Sequence, residues 1–258
     1  MFSATYPLFE KGRLLKIEML ECLRDFPREL LQVYLKDYVE GVLSGCEITV
    51  NEHCLIIQPG IIFLQGILYV LKAAYEVPYL SNDRLTLLKV NCLDKDKEKD
   101  FIRYVSQIYL DYNTSCKETE IELCRFKLKK GARLRMNYQD FYDFNTEYDT
   151  VNRIYVPYSG KGKVTLVPEI VMEFAKEALK YHPLEAIDLQ FCFLTLQNNG
   201  FLERNVLEAY LNAKDEPINN EASQMTLYEG LSNILRRIQR GEQKKNYRKG
   251  FGKGILVD

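Results

Sequence analysis

The side chains that could carry chemistry in this chain are few and scattered. Seven cysteines, Cys22, Cys46, Cys54, Cys92, Cys116, Cys124 and Cys192, include no CxxC pair. Zinc needs a cluster of Cys or His ligands, and none forms around the two histidines, His53 and His182. The cysteines therefore read as small buried hydrophobes of a reducing compartment. Asp140, Asp143, Glu147 and Asp149 are near enough in sequence for calcium ligands but lack the DxDxDG loop spacing. Ser159–Val164 (SGKGKV) resembles part of a phosphate loop. A true one needs GxxxxGK followed by Ser or Thr; here no glycine precedes Gly162 at that spacing, and Val164 follows Lys163. No GxSxG, HExxH or GxGxxG stands in a strand-to-helix context. Paired carboxylates of a glycosidase leave no fixed spacing, because any two acids can converge in a fold. The expectation is a chain with no catalytic residues, no metal and no cofactor.

The elements left to explain form a scaffold. From Val39 to Val77 three β-type runs follow one another: Cys46–Val50, Cys54–Gln58, and Ile61–Leu71 broken at Gln65-Gly66. Asn51-Glu52-His53 connects the first two, and Gln65-Gly66 supplies a tight two-residue hairpin turn. Cys46, Ile48 and Val50 point to one face, Glu47 and Thr49 to the other. The later runs are apolar on both faces, so this sheet is covered on both sides, by protein or by another subunit. Gly41, Gly45, Pro59, Gly60, Gly66 and Gly131 punctuate the strands as structural turns. A second β region holds Arg84–Leu93 and Phe101–Leu110, separated by DKDKEKD, which reads as a solvated loop because its signs alternate. Glu120–Leu128 follows with period-2 alternation and ends in the Lys129-Lys130-Gly131 turn.

Helices flank this β region. Leu14, Leu15, Ile17, Leu20 and Leu23 give one apolar face over about Lys11–Arg24. Pro27 then opens a second helix carrying Leu30, Leu31, Tyr34, Leu35 and Tyr38, with Gly41 able to end it. After residue 167 the spacing predicts a small bundle: Pro168–Tyr181, Leu184–Leu196, Leu202–Ala213 and Ser223–Ile238. Leu184–Leu196 is apolar nearly all round, which predicts a buried central helix. Between sheet and bundle, residues 137–158 are packed with Tyr, Phe, Asp and Asn. That composition predicts an irregular or extended arm whose Tyr138, Tyr142, Tyr148, Tyr155 and Tyr158 pack against a neighbouring subunit. The last stretch is basic: Arg236, Arg237, Arg240, Lys244, Lys245, Arg248, Lys249 and Lys253 oppose one Glu, interleaved with Tyr247 and Phe251. We expect it to be a docking arm, ordered only on a partner.

The fold class predicted is α+β: N-terminal helices, an antiparallel β-sandwich or barrel-like region, and a small C-terminal helical bundle. The segments are 1–40 (N-terminal helices), 41–136 (β domain), 137–167 (Tyr/Asp-rich arm), 168–240 (helical domain) and 241–258 (basic tail). The net charge is −1, so nucleic acid or an anionic membrane is attracted by a local patch or not at all. Cys54–Leu71, the richest apolar segment, is cut by Gln58, Pro59, Gly60 and Gln65 and cannot be a spanning helix. The first residues lack the basic start and apolar core of a secretion signal.

One resemblance covers about Val39–Leu134. GVLSGCEITV, then LIIQPGIIFLQGILYVL, then IELCRFKLKKGARL resembles a layout recurring in baseplate and tail-fibre proteins of bacteriophages and phage-tail-like particles. The matching positions are Gly41, Ser44, Gly45, Ile48, Pro59, Gly60, Ile61, Gly66, Leu123, Cys124, Arg125, Phe126, Gly131 and Ala132. The C-terminal helices and the basic tail lie outside that pattern. Short proteins of similar layout are sometimes labelled DNA or RNA helicases. Without a Walker A loop, and with 258 residues for two motor domains, that label is set aside. The resemblance implies a non-enzymatic structural protein, assembled in the cytoplasm, particle-associated, and partnered by other subunits. Two other readings stand beside it: a nucleic-acid accessory protein using the basic tail, and a carbohydrate- or surface-binding module using exposed aromatics.

Overall fold

The computed structural model describes residues 4–97, 99–219 and 222–242. Among them the chain is an α+β protein of five α-helices and three antiparallel three-stranded sheets. The first two sheets are built from six short strands: β1 (Gly41–Gly45), β2 (Ile48–Val50), β3 (Cys54–Ile57), β4 (Gly60–Leu64), β5 (Ile67–Leu71) and β6 (Tyr75–Pro78). Their orders are β1-β4-β5 and β2-β3-β6.

These two sheets are one three-stranded meander folded at a corner. β1 runs on into β2, β3 into β4 and β5 into β6, and each passage changes sheet at the same level. Cys46 N donates to Pro59 O at 3.2 Å and Gln58 N to Glu47 O at 2.8 Å, so pairing is carried through the bend. Gly45 and Gly60 lie opposite each other there. A Cβ on Gly60 would stand 2.3 Å from the Cys46 nitrogen, and one on Gly45 would stand 2.2 Å from the Pro59 carbonyl oxygen. Only glycine lets the two strands approach so closely. At the other end Gln65 (φ 50°) and Gly66 (φ 73°) form the two-residue turn of the β4–β5 hairpin, where Leu64 pairs with Ile67. Gly41 opens β1, and Gly131 lies in the turn closed by Ala132 N to Lys129 O at 3.0 Å.

The third sheet has the order β8-β7-β9, with β7 (Leu85–Lys97), β8 (Ile102–Asp111) and β9 (Glu120–Lys127). β7 continues through Asp94-Lys95-Asp96-Lys97, so most of the charge run expected as a loop belongs to a strand. Its backbone pairs with Ile102–Tyr104 across a long hairpin. β9 is buried on both faces, because residues 149–156 lie along its free edge. There Arg125 and Asn152 exchange backbone hydrogen bonds of 2.9 and 2.7 Å.

The helices are α1 (Ile17–Tyr34), α2 (Pro168–Ala178), α3 (Ala186–Gln197), α4 (Arg204–Ala213) and α5 (Gln224–Gln239). Pro168 opens α2, and Ser223 caps α5 by accepting from Thr226 N at 3.2 Å. The middle of the helical part is α2, whose Ile170, Val171, Phe174, Ala175 and Ala178 are fully buried. The Phe174 ring meets those of Phe141, Phe191 and Tyr210 at 5.6 to 6.1 Å. One apolar core, from Val42 to Ile238, joins sheets and helices.

Two helix expectations are corrected. The N-terminal region is a single helix, not two: residues 11–16 are irregular, with Gly12 at φ 87°, and Pro27 lies inside α1. The hydrogen bond that Pro27 cannot donate would go to the carbonyl of Leu23, an exposed residue. α3 is not a buried central helix. It turns Asp188, Phe191, Cys192 and Thr195 inward and leaves Ile187, Phe193, Leu194 and Leu196 exposed. Its inward polar groups are satisfied: Tyr210 OH donates to Asp188 Oδ1 at 2.8 Å, and Lys214 Nζ lies 3.0 Å from Asp188 Oδ2.

Residues 137–158 are irregular, as expected, but pack on their own chain. Asp140 caps a short 3-10 helix (Phe141–Asn145) through the Tyr142 and Asp143 amides. Arg135 grips Asp143 with two parallel hydrogen bonds of 2.5 and 2.7 Å, and Thr146 Oγ1 and Gln139 N donate to the same carboxylate. The Arg135 guanidinium therefore holds the Asp143 carboxyl well below the usual carboxylate range, against the opposing effect of burial.

Two outcomes test this architecture. Gly60→Ala should lower stability by about 3 kcal/mol, because the Cβ meets backbone rather than a movable side chain. Gly66→Ala, with open space around its Cβ, should lose only about 1 kcal/mol from the left-handed φ. Urea unfolding of both variants checks the contrast, and equal losses would place the corner elsewhere. Because the Asp143 pKa is depressed in the folded chain, its stabilisation is present above the unfolded value near 4 and is lost as pH falls below it. Asp143→Asn should cost on the order of 3 kcal/mol at pH 7 and flatten the dependence of stability on pH between roughly 5 and 2. An unchanged acid limb would show that this pair does not link folding to pH.

Candidate interaction surface

The groups with chemical potential are mostly buried or paired. All seven cysteines are free; Cys46, Cys92, Cys124 and Cys192 are buried as expected, whereas Cys22 and Cys54 are half-buried and Cys116 is exposed, which corrects the expectation for those three. Burial pushes the thiols of Cys46 and Cys92 up to about 11 and those of Cys124 and Cys192 up to about 12, away from nucleophilic thiolate. Among the described residues no group of three His, Cys, Asp or Glu could hold a metal ion. Lys89, fully buried in the third sheet, donates to Asp111 Oδ2 at 2.8 Å, Ser115 O at 2.6 Å and Glu120 Oε2 at 3.4 Å. Tyr109 OH donates to the other Glu120 oxygen at 2.9 Å. Burial alone would lower the Lys89 pKa, but the Asp111 hydrogen bond and the surrounding negative charge raise it overall. The cluster stays charged and mutually satisfied, and it ties down the β8–β9 connection. In SGKGKV, Lys163 Nζ lies 3.0 Å from Glu208, and the Lys161 amide donates to Glu203 at 2.8 Å. Carboxylates occupy the donors that a phosphate would need.

The tyrosines expected on a neighbouring subunit are engaged within the chain. Tyr138 stacks on Phe144 at 3.9 Å and donates to Val151 O at 2.8 Å. Tyr142 donates to Gln239 at 2.9 Å, with the Arg236 guanidinium 5.2 Å from its ring. Tyr148 accepts Lys127 Nζ at 2.6 Å, Tyr155 lies 3.6 Å under the Arg125 guanidinium, and Tyr158 is buried. A sequence rich in amphipathic rings fits an internal seam as well as an interface, and only the chain path separates them. The basic stretch also starts inside the fold: Arg236 and Arg237 belong to α5, Arg240 ends it, and Arg237 donates to Glu216 and Lys214 O. Lys244, Lys245, Arg248, Lys249 and Lys253 lie outside the described residues.

What remains open is apolar surface. α1 has one apolar side and buries none of its residues. At 100° per residue Leu20, Leu23, Phe26, Leu30, Val33 and Tyr34 share one side, while Glu18, Glu21, Arg24, Asp25, Arg28 and Glu29 share the other. Those six apolar residues remain 42 to 68% exposed. The residues before the helix cover little of them: the Tyr6 ring reaches Phe26 at 6.2 Å, and an open groove of ≈ 680 Å³ lies between this segment and the first turns of α1. Leu8, Phe9, Leu14 and Leu15 there are themselves more than half exposed. The outward face of α3 and the β7–β8 hairpin, with Phe101 and Ile102, add smaller apolar areas. The sequence periodicity finds part of the apolar side of α1. Whether a partner covers it is a tertiary fact that no local pattern carries.

No helix among the described residues is long and apolar enough to cross a membrane. No protein-family model matches the sequence, and no curated protein is similar to it in sequence. Solved structures similar in backbone include three from one secretion system. A crystal structure of TssK is 8% identical, with 94% of this chain and 70% of that chain covered and a TM-score of 0.41. A chain of the type VI secretion system TssK-TssF-TssG baseplate subcomplex is 11% identical, with 92% and 100% covered and a TM-score of 0.42. A chain of the type VI secretion baseplate complex is 11% identical, with 91% and 100% covered and a TM-score of 0.33. Similarity at this level does not establish a common fold.

Proposed function

We propose that this chain is a non-enzymatic assembly subunit of a phage-tail-like particle, acting at or near the baseplate. The observation that carries the reading is α1: an amphipathic helix whose apolar side finds little cover in its own chain. Soluble proteins seldom leave a contiguous patch of that size open unless another protein occupies it. The particle class is supported by the resemblance over Val39–Leu134. Its glycine and proline positions meet at the folded corner, where Gly45, Pro59 and Gly60 let two strands change sheet together. The paired state of Lys89, Glu120, Asp188 and Lys163 supports a structural role over a catalytic one, since a general acid or base needs a free site for its proton.

The test is recovery from the native cell. The tagged full-length chain should co-purify with the sheath, tube and baseplate subunits of a tail-like particle, and cells lacking it should form no complete particles. Intact, contracting particles in such cells would overturn the reading. The purified chain should also hydrolyse no ATP. Hydrolysis that disappears in Lys163→Ala would show that the Lys163–Glu208 pair opens to nucleotide and would replace the structural role with an enzymatic one.

A further inference from the structure

We infer that the missing cover of α1 is α1 of a second copy, the two helices lying side by side and parallel. The inference rests on the assembly reading and adds the identity and orientation of one partner.

Three features of the helix point to a copy of itself. The first is area. Large side chains expose ~200 Å² each when free, so six that are about half exposed present roughly 700 Å². A standard interface takes about 800 Å² from each partner, close to that figure. The second is shape. The apolar side spans close to half of the circumference along all five turns, the width that a helix pair with flanking contacts covers.

The third is charge. Beside the apolar side, one flank of α1 carries Glu18, Asp25 and Glu29, and the other carries Arg24 and Arg28. In a parallel pair related by a two-fold axis along the helices, each flank meets the opposite flank of the other copy. Acidic residues then face basic ones on both sides of the seam. An antiparallel pair would set acid against acid and base against base. A surface with both signs, one on each flank, is complementary to itself, whereas a partner of single charge would be repelled on one side. The existing Arg24–Asp25 contact at 2.7 Å does not compete strongly, because both side chains are well exposed and such pairs contribute little. Pro27 sits on the edge of the apolar side, where no inter-helix hydrogen bond is asked of its backbone.

The experiment is sedimentation equilibrium on the full chain, at concentrations from about 1 to 100 µM. The parent should populate a dimer. Leu23→Glu with Leu30→Glu should weaken it at least 10-fold without changing the melting of the body, because both positions are exposed. Arg24→Glu with Arg28→Glu should weaken self-association, and mixing that chain with one carrying Glu18→Lys, Asp25→Lys and Glu29→Lys should restore a mixed dimer. For orientation, Leu30→Cys in a Cys22→Ser, Cys116→Ser background should oxidise to a disulfide-linked dimer, since a parallel pair sets residue 30 beside its own copy. A monomer at 100 µM overturns the pairing, as does a dimer unmoved by Leu23→Glu with Leu30→Glu. Efficient cross-linking only between Leu23→Cys and Leu30→Cys chains overturns the parallel orientation. The two readings separate in the native cell: a monomeric chain that still enters the particle removes the pairing and leaves the assembly role, with another subunit covering α1. A monomeric chain absent from every particle removes both.

Discussion

Arg153 is almost fully buried, and its guanidinium reaches two elements far apart in sequence. One nitrogen donates to the carbonyl of Cys46 at 3.0 Å, at the corner of the folded meander, and another lies 3.2 Å from Glu169 in the first turn of α2. A buried cation is tolerated only when hydrogen-bonded, so the corner, this segment and the helix are fixed together or not at all. The neighbouring residues extend the constraint. Asn152 pairs with Arg125 along the free edge of β9, and Val151, Ile154 and Val156 fill the space between sheet and helices. An open strand edge thus becomes an internal seam, and the β and helical parts share one core.

The polar interior follows the same rule. Lys89 with Asp111 and Glu120, Arg125 with Glu122, Arg135 with Asp143 and Lys214 with Asp188 are separate clusters in which each charge meets its opposite. Such pairs position loops and strand ends, since each fixes geometry through directional, charge-assisted hydrogen bonds. Within these clusters every charged group has a partner of opposite sign. Specificity of packing is the benefit, and strong dependence on both partners is the consequence.

Much of this was legible in the residues. The alternation of Cys46 to Val50 and the Gln65-Gly66 turn needed only side-chain period and turn chemistry, and the spacing of Leu227, Leu231, Ile234 and Ile238 gives the inward face of α5. What escaped had a different physical cause in each case. α3 is apolar all round, so no face is marked, and Asp188 and Thr195 turned inward because Tyr210, Lys214 and the Phe191 carbonyl satisfy them. Tyr138, Tyr142 and Tyr155 look alike at an interface or an internal seam. Pro27 is as compatible with a first turn as with an exposed kink. For the candidate surface the sequence gives the amphipathic side of α1 but cannot say that the chain leaves it uncovered.

That last point bears on what α1 is energetically. A helix of 18 residues that buries nothing is held by its own backbone hydrogen bonds. Isolated helices of about this length are marginal in water even for favourable sequences, and an internal proline removes one bond and adds a steric clash. The i,i+3 ion pair of Glu21 with Arg24 at 3.8 Å is exposed and contributes a few tenths of a kcal/mol at most. Burial of the apolar side is the remaining term large enough to offset the ordering cost of roughly 1–2 kcal/mol per residue. The folded body does not supply that burial, so under the pairing proposed above helix formation at the N-terminus and association are two descriptions of one equilibrium. Under that pairing, assembly is sensitive to concentration, while the continuous core of the body contains no residue of α1.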